Sequence, residues 1–152
     1  SGGRGKGRFA NPHIPARSRI LDLGAGLMKP ALRLKVGSTY TPVDLVRYAQ
    51  STVLMDLNEG GFPTGDWDCA LALEVLEHIH DVPVLLKKIR AAAKRLICTY
   101  ECLDAAGNIP QRRERGFFND FDKDAFTALL HSAGWQASVG ETHTTICLFV
   151  CD

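Results

Sequence analysis

The chain has 152 residues and a mass of 16.6 kDa, which is room for one domain, since domains usually hold about 100 to 200 residues. Hydrophobic residues make up 45% and charged residues 23%, which predicts a packed core and excludes a disordered chain. The net charge of +1 and the pI near 7.7 argue against a nucleic-acid partner, because nucleic-acid-binding domains typically have a pI above about 9.

The apolar runs and the cysteines indicate the cellular compartment of the protein. The longest apolar stretch has six residues (146–151), whereas a membrane span needs about 20 and an export signal about 7 to 15 near the start. We therefore expect neither. The five cysteines are expected to be buried, reduced thiols, which predicts a cytoplasmic protein: Cys69, Cys98, Cys102, Cys147 and Cys151. The four-residue spacings do not predict a metal site, because positions four apart on a strand lie about 13 Å apart.

The predicted elements alternate between strands and helices. Residues 1–18, rich in glycine and basic residues, form a flexible arm, and residues 19–152 form the domain. Strands are predicted at 19–23, 39–43, 52–55, 67–73 and 95–100, followed by an antiparallel hairpin of 135–140 and 144–150. Helices are predicted at 29–36, 81–94 and 123–132, the last with Asp122 as its N-cap. Only eight residues (44–51) separate the second and third strands, so the helix there has one turn or is absent. This order predicts an α/β fold, a doubly wound and mostly parallel sheet with helices on both faces.

The first strand ends in a glycine turn, Gly24-Ala25-Gly26, that permits close approach of a nucleotide-type ligand. Asp44 ends the second strand 20 residues after Gly24, where a carboxylate can accept hydrogen bonds from both ribose hydroxyls. Asp56 ends the third strand along the same carboxyl edge of the sheet.

Asp22 discriminates between cofactors. A carboxylate two residues before the glycine turn repels a diphosphate but attracts an ammonium group. S-adenosylmethionine carries an ammonium, a sulfonium and a ribose but no phosphate, so it fits these acids better than NAD does.

These residues resemble the class I S-adenosylmethionine-dependent methyltransferases, in particular the small bacterial type with a Leu-Glu-His after the fourth strand. The resemblance rests on segments 20–26, 43–44, 55–57 and 68–79, and on the passage 118–135, so it spans nearly the whole domain. It implies a Rossmann-like sheet of about seven strands, the last antiparallel. It also implies cofactor contacts from the glycine turn, from Asp44 to ribose, from Asp56 and Leu57 near adenine, and from Glu74 beside the methyl group. The chain departs from the family at Met28, where a small residue is usual, and before residue 19, where a covering helix is usual. These departures suggest either a domain trimmed from a longer protein or one that needs a partner domain to complete the pocket.

The acceptor side is less defined by the sequence. His78 and His80 follow the fourth strand and are candidate bases for a hydroxyl acceptor, with His78 the preferred catalytic residue. Arg112, Arg113 and Arg115 indicate either a contact with an anionic small-molecule acceptor or a solvated charge run. The leading hypothesis is methyl transfer from S-adenosylmethionine to a small molecule or biosynthetic intermediate. The alternatives are an inactive binding or scaffolding domain of the same fold and an NAD-dependent oxidoreductase.

Overall fold

A computed structural model describes residues 10–26, 28, 31, 34–105, 111–143 and 146–152 of the chain, and for 141–143 the backbone alone. One sheet contains seven strands. These are β1 (Arg19–Leu23), β2 (Thr39–Asp44), β3 (Val53–Leu54), β4 (Trp67–Ala72), β5 (Ala93–Tyr100), β6 (Ala137–His143) and β7 (Ile146–Cys151). The α-helices are α1 (Val82–Ala92) and α2 (Lys123–Ser132), and the short 3-10 helices are Asn11–His13, Leu57–Glu59 and Leu76–His78.

The strand order is β3-β2-β1-β4-β5-β7-β6. The ladders from β3 through β5 are parallel, and β7 is antiparallel to both of its neighbours, which confirms the predicted sheet and its closing hairpin. Leu23 pairs with Val43 on one side and with Ala72 on the other, so the carboxyl ends of β1, β2 and β4 lie level. The loops that follow these strands therefore meet at one edge.

Both described helices begin where the sequence predicts. The Asp81 carboxylate accepts from Val84 N at 3.2 Å to cap α1, and Asp122 accepts from Ala125 N at 2.7 Å to cap α2. The predicted end of the first of these helices, at residue 94, is wrong, because the chain enters the sheet at Ala93, which pairs with Trp67. Residues 93 and 94 therefore belong to β5 and not to the last turn of the helix.

Two apolar clusters cover the two faces of the sheet. Leu21 and Leu23 of β1 pack into the larger cluster beneath the two helices. Ile20 faces the other way and packs with Ala10 and Ile14, which are buried although they lie in the segment predicted as an arm. The alternation along β1 follows from the two-residue period of a strand.

The short connection after β2 contains no helix among its described residues, as the sequence predicts. The Arg47 guanidinium instead donates to the carbonyl oxygens of Gln50 at 2.9 Å and Thr52 at 3.1 Å, which closes a compact turn. Leu45 and Tyr48 are left exposed.

All five cysteines are buried thiols outside any disulfide bond, as the sequence predicts. No helix in the described part of the chain is long and apolar enough to cross a membrane. In the same residues no group of three or more histidine, cysteine or acidic side chains is arranged to hold a metal ion. Residues 1–9 of the predicted arm, and residues 29, 30, 32 and 33 of the helix predicted over 29–36, lie outside the described residues.

Candidate functional site

A cavity of about 270 Å³ opens at the carboxyl edge of the sheet. Its walls come from the ends of β1 and β2 and from the loops that follow β2, β3 and β4. The lining residues are Gly24, Val43, Asp44, Leu45, Met55, Asp56, Leu57, Asn58, Glu74, Val75, His78 and Ile79. The structure thus brings most of the predicted site residues to one place: Gly24, Asp44, Asp56, Leu57, Glu74 and His78. Asp22, Ala25 and Gly26 are not among its lining residues, although Gly26 bonds directly to one of them.

Both glycines of the turn have a left-handed φ, but only Gly24 packs closely against a neighbouring side chain. Gly24 has a φ of +68°, and a Cβ there would lie 2.3 Å from Cγ2 of Val75. Gly26 has a φ of +51°, but a Cβ there would meet no atom of the described residues within 4 Å. Ala25 N donates to the carbonyl of Val43 at 3.0 Å and ties the turn to β2. Among the described residues the turn is therefore packed at its start and open at its end, where a ligand can approach the backbone.

Asp44 joins the glycine turn to the end of β2. Its Oδ2 accepts from Gly26 N at 2.8 Å, and its Oδ1 accepts from Leu45 N at 2.7 Å. A carboxylate offers about four lone-pair sites, so these bonds leave acceptor capacity for a ligand. The backbone bonds also hold the carboxylate still, so it is positioned before a ligand arrives.

Asp56 and Asn58 organise the loop after β3. Asp56 accepts from Asn58 N at 2.9 Å and caps the short helix Leu57–Glu59. The Asn58 side chain donates to the carbonyl of His78 and accepts from His80 N, both at 2.9 Å. Asn58 thereby joins this loop to the loop after β4. Sequence reasoning missed Asn58, because the contact joins positions 20 and 22 residues apart.

Glu74 occupies an unusual backbone conformation at the end of β4. Its φ is +58°, a left-handed conformation that costs a non-glycine residue about 1 to 2 kcal/mol. Its N–H donates to Oγ1 of Thr99 at 2.7 Å, which fixes the turn. Such outliers persist where the surroundings enforce them and cluster at functional sites. Met28, at the position where the family usually has a small residue, also has a left-handed φ of 57°.

His78 is held in one tautomer. Its Nδ1 lies 2.8 Å from the carbonyl oxygen of Gly116, and a carbonyl only accepts, so Nδ1 carries the proton. The neutral ring then presents an unprotonated Nε2. The ring of Phe117 packs edge-on against the imidazole, with centroids 5.1 Å apart. This arrangement, with one nitrogen anchored to a backbone carbonyl, leaves the other able to accept a proton.

Asp22 lies outside the lining of the cavity. It is 2% exposed and accepts a hydrogen bond from the Tyr40 hydroxyl. Burial raises the pKa of Asp22 from 3.8 to about 7; the Tyr40 hydrogen bond opposes this rise, and the charge of Asp44 adds to it. Burial, together with the Asp22 charge, also raises the pKa of Tyr40. The two side chains form a buried polar pair on the side of the sheet that carries Ile20.

The three arginines predicted for the acceptor side have carboxylate partners within the chain. Arg112 and Arg113 both bind Asp120, at 2.9 and 2.7 Å, and Arg115 binds Glu101 at 2.7 Å. The hydrogen bonds to Asp120 hold the pKa of that carboxyl below its usual range. Each arginine of the run thus has a carboxylate partner within the chain, although the Arg113 side chain stays 58% exposed.

Comparison with known proteins gives a family and a fold. The sequence matches a family described as "Methyltransferase domain" over residues 4–138. The fold is similar to 1,6-didemethyltoxoflavin-N1-methyltransferase of Burkholderia thailandensis, crystallised with 1,6-didemethyltoxoflavin and S-adenosylhomocysteine. Here the TM-score is 0.74 at 20% identity, with 97% of this chain and 75% of that chain covered.

Two further structures give the same result. A SAM-dependent methyltransferase from Aquifex aeolicus has a TM-score of 0.73 at 14% identity, covering 99% of this chain and 93% of that one. An S-adenosylmethionine-dependent methyltransferase from Mesorhizobium loti has a TM-score of 0.73 at 14% identity, covering 92% and 94%. No protein of curated function matches the chain in sequence.

Proposed function

The chain belongs to the methyltransferase domain family and is an S-adenosylmethionine-dependent methyltransferase, and we propose that it methylates a small molecule at the carboxyl edge of its sheet. The observation that carries the proposal is the cavity, which joins the glycine turn to Asp44, Asp56, Glu74 and His78. Family membership does not favour the NAD-dependent oxidoreductase or the inactive scaffold.

The chemistry of the lining residues fits S-adenosylmethionine. Its ribose hydroxyls need acceptors, and the Asp44 carboxylate is fixed by Gly26 and Leu45 with acceptor capacity remaining. We assign the ribose to Asp44, the adenine to Asp56 and Leu57, and the methyl end to Glu74. The glycine turn (24–26), open beside Gly26, supplies the backbone approach. Acidic side chains favour a cationic ligand over a diphosphate.

The proposed cofactor contact of Asp22 depends on the protonation state of its carboxyl. Its carboxyl is occupied by Tyr40, and burial raises its pKa to about 7. A contact with the ammonium group of the cofactor requires the ionised form. We retain this contact as a proposal, and the cofactor's affinity at pH 6 and pH 8 tests it.

Bound S-adenosylmethionine supplies a methyl group already activated by its sulfonium. The chain's own residues must then hold the acceptor in line and, for a hydroxyl acceptor, remove its proton. His78 serves as the base in this proposal, because its Nδ1 is committed to Gly116 and its Nε2 is left to accept. The acidic lining stabilises positive charge around the reacting atoms.

Transfer of a tritiated methyl group from S-adenosylmethionine to cell-extract acceptors tests the function. We expect turnover by the wild type and a loss of about 100-fold or more in His78→Gln, with cofactor affinity unchanged. His131→Gln, an exposed histidine of α2, is the matched control. Full turnover by His78→Gln contradicts the base assignment, and absence of turnover by the wild type contradicts the function.

The location, partners and acceptor charge of the protein are also matters of proposal. The buried thiols fit a reducing compartment, so we place the protein in the cytoplasm. Leu45 lines the cavity yet is 64% exposed, which supports a partner domain that covers the site. An anionic acceptor remains a proposal without support from the arginines, because Asp120 and Glu101 already bind them. The near-neutral charge balance still argues against a nucleic-acid acceptor.

A further inference from the structure

Phe118 is an aromatic residue at the carboxyl edge that the fold leaves open. Its side chain is 52% exposed, whereas the neighbouring Phe117 is 6% exposed. The Phe118 ring stands nearly perpendicular to the imidazole of His80, at 84°, with centroids 4.2 Å apart. One exposed apolar side chain needs no explanation by itself, so its surroundings decide what it does.

The backbone around Phe118 is anchored on both sides. Phe118 N donates to the carbonyl of Glu77 at 2.8 Å. The Asn119 side chain donates to the carbonyls of Leu76 at 3.0 Å and Ile79 at 2.9 Å. The exposed ring is therefore presented by a fixed backbone, and a ligand that stacks on it pays little to order the loop.

His80 stands beside space that continues the main cavity. It lines a second cavity of about 90 Å³ that shares Leu57, Asn58 and Ile79 with the main one. Its backbone is fixed by Asn58, while its ring nitrogens form no hydrogen bond within the described part of the chain. A polar donor or acceptor on a ligand can therefore bind the imidazole next to the cofactor cavity.

The arginines near Phe118 are all paired with carboxylates of the chain. The nearby guanidinium groups of Arg112, Arg113 and Arg115 are bound by Asp120 and Glu101. Two of them also stack on the buried Phe117 ring, at 4.9 and 4.5 Å from its centroid. The Arg113 side chain stays 58% exposed, so the wall presents an aromatic face, an imidazole and a guanidinium already paired with Asp120.

We infer that the methyl acceptor is a flat aromatic molecule that stacks on the Phe118 ring and hydrogen-bonds the imidazole of His80. The inference rests on the proposed function and names the acceptor class for the same site. Perpendicular rings form a corner in which a flat ligand stacks on one ring and meets the other through its edge. The ring carries a hydroxyl or ring nitrogen that His80 recognises.

The test uses the full chain with S-adenosylhomocysteine bound and two neutral probes of the same skeleton, 1-naphthol and decahydro-1-naphthol. Saturation-transfer NMR and titration measure the affinity of each probe. We expect 1-naphthol to bind tighter than the saturated probe, and Phe118→Leu to weaken 1-naphthol by about three- to tenfold, the range for one aromatic contact. Phe118→Tyr keeps the ring and should restore the affinity.

Tyr48→Leu is the matched control, because Tyr48 is a second exposed aromatic residue, 49% exposed. It should leave the binding of 1-naphthol unchanged. Equal binding of the two probes, no binding of 1-naphthol, or an unchanged affinity in Phe118→Leu overturns the inference. The affinity for S-adenosylhomocysteine, measured separately for each variant, separates the failures: its absence in the wild type contradicts the proposed function itself.

Discussion

Replacing Asp22 with asparagine should remove a pH dependence from the free energy of unfolding. The carboxyl is 2% exposed, and its burial raises its pKa from 3.8 to about 7, against the hydrogen bond from Tyr40 and with the charge of Asp44. The folded chain therefore keeps a proton on Asp22 over a pH range in which the unfolded chain has lost it. Asparagine keeps an acceptor for the Tyr40 hydroxyl but does not titrate.

The direction and size of the effect follow from proton linkage. Between pH 3.8 and about 7 the folded chain binds more protons at Asp22 than the unfolded chain does, so the free energy of unfolding falls as the pH rises. This group alone should cost the wild type about 2 to 3 kcal/mol between pH 5 and pH 8. Over the same pH interval, the free energy of unfolding of Asp22→Asn should fall by about 2 to 3 kcal/mol less than that of the wild type.

Urea unfolding at pH 5 and pH 8 measures the difference. The tryptophans Trp67 and Trp135 are 6% and 1% exposed, so their fluorescence reports loss of the core. Asp66→Asn, at an exposed acid just before β4, removes the same charge and should follow the wild type at both pH values. If wild type and Asp22→Asn lose equal stability between pH 5 and pH 8, the buried-proton reasoning is refuted.

Gly24→Ala should lower both stability and cofactor affinity, because its Cβ would lie 2.3 Å from Cγ2 of Val75. Adding Val75→Ala should restore part of the stability but not all, since the left-handed φ remains, and thermal unfolding of the single and double variants measures this. Arg112→Ala should destabilise by about 3 kcal/mol, because it removes the donors to the buried Glu101 carbonyl and Tyr100 hydroxyl, whereas Arg113→Ala should leave the urea midpoint unchanged. Equal effects of the two arginine variants contradict the ion-pair account.

Much of the fold could be predicted because the local patterns agree with the sheet. The hydrophobic stripe and the Asp122 cap predict α2 over the range that it occupies. The short span after Asp44 predicts that no full helix follows β2. The end of the preceding helix could not be predicted, because helical spacing continues through Ala93 while pairing with Trp67 places that residue in β5.

Only part of the candidate site could be predicted from the sequence. Asp44 and Asp56 reach the cavity because the ends of parallel strands share an edge. Asp22 could have been placed on the opposite side from Leu21 and Leu23, since strand residues alternate between faces. The partner of His78 could not be found from sequence, because Gly116 lies 38 residues away in a loop. The arginine pairs were missed for a similar reason, since a charge run does not reveal which acids lie beside it in space.

Calorimetric titration with S-adenosylmethionine, comparing wild type, Asp44→Asn and Asp66→Asn, tests the central claim most directly. Asp66 lies before β4, at the opposite edge of the sheet from the cavity, so it controls for loss of charge. We predict that wild type and Asp66→Asn bind alike and that Asp44→Asn binds about ten- to a hundredfold more weakly, the range for hydrogen bonds to a charged group. No binding by the wild type, or equal binding by Asp44→Asn, would contradict the assignment of this cavity to the cofactor.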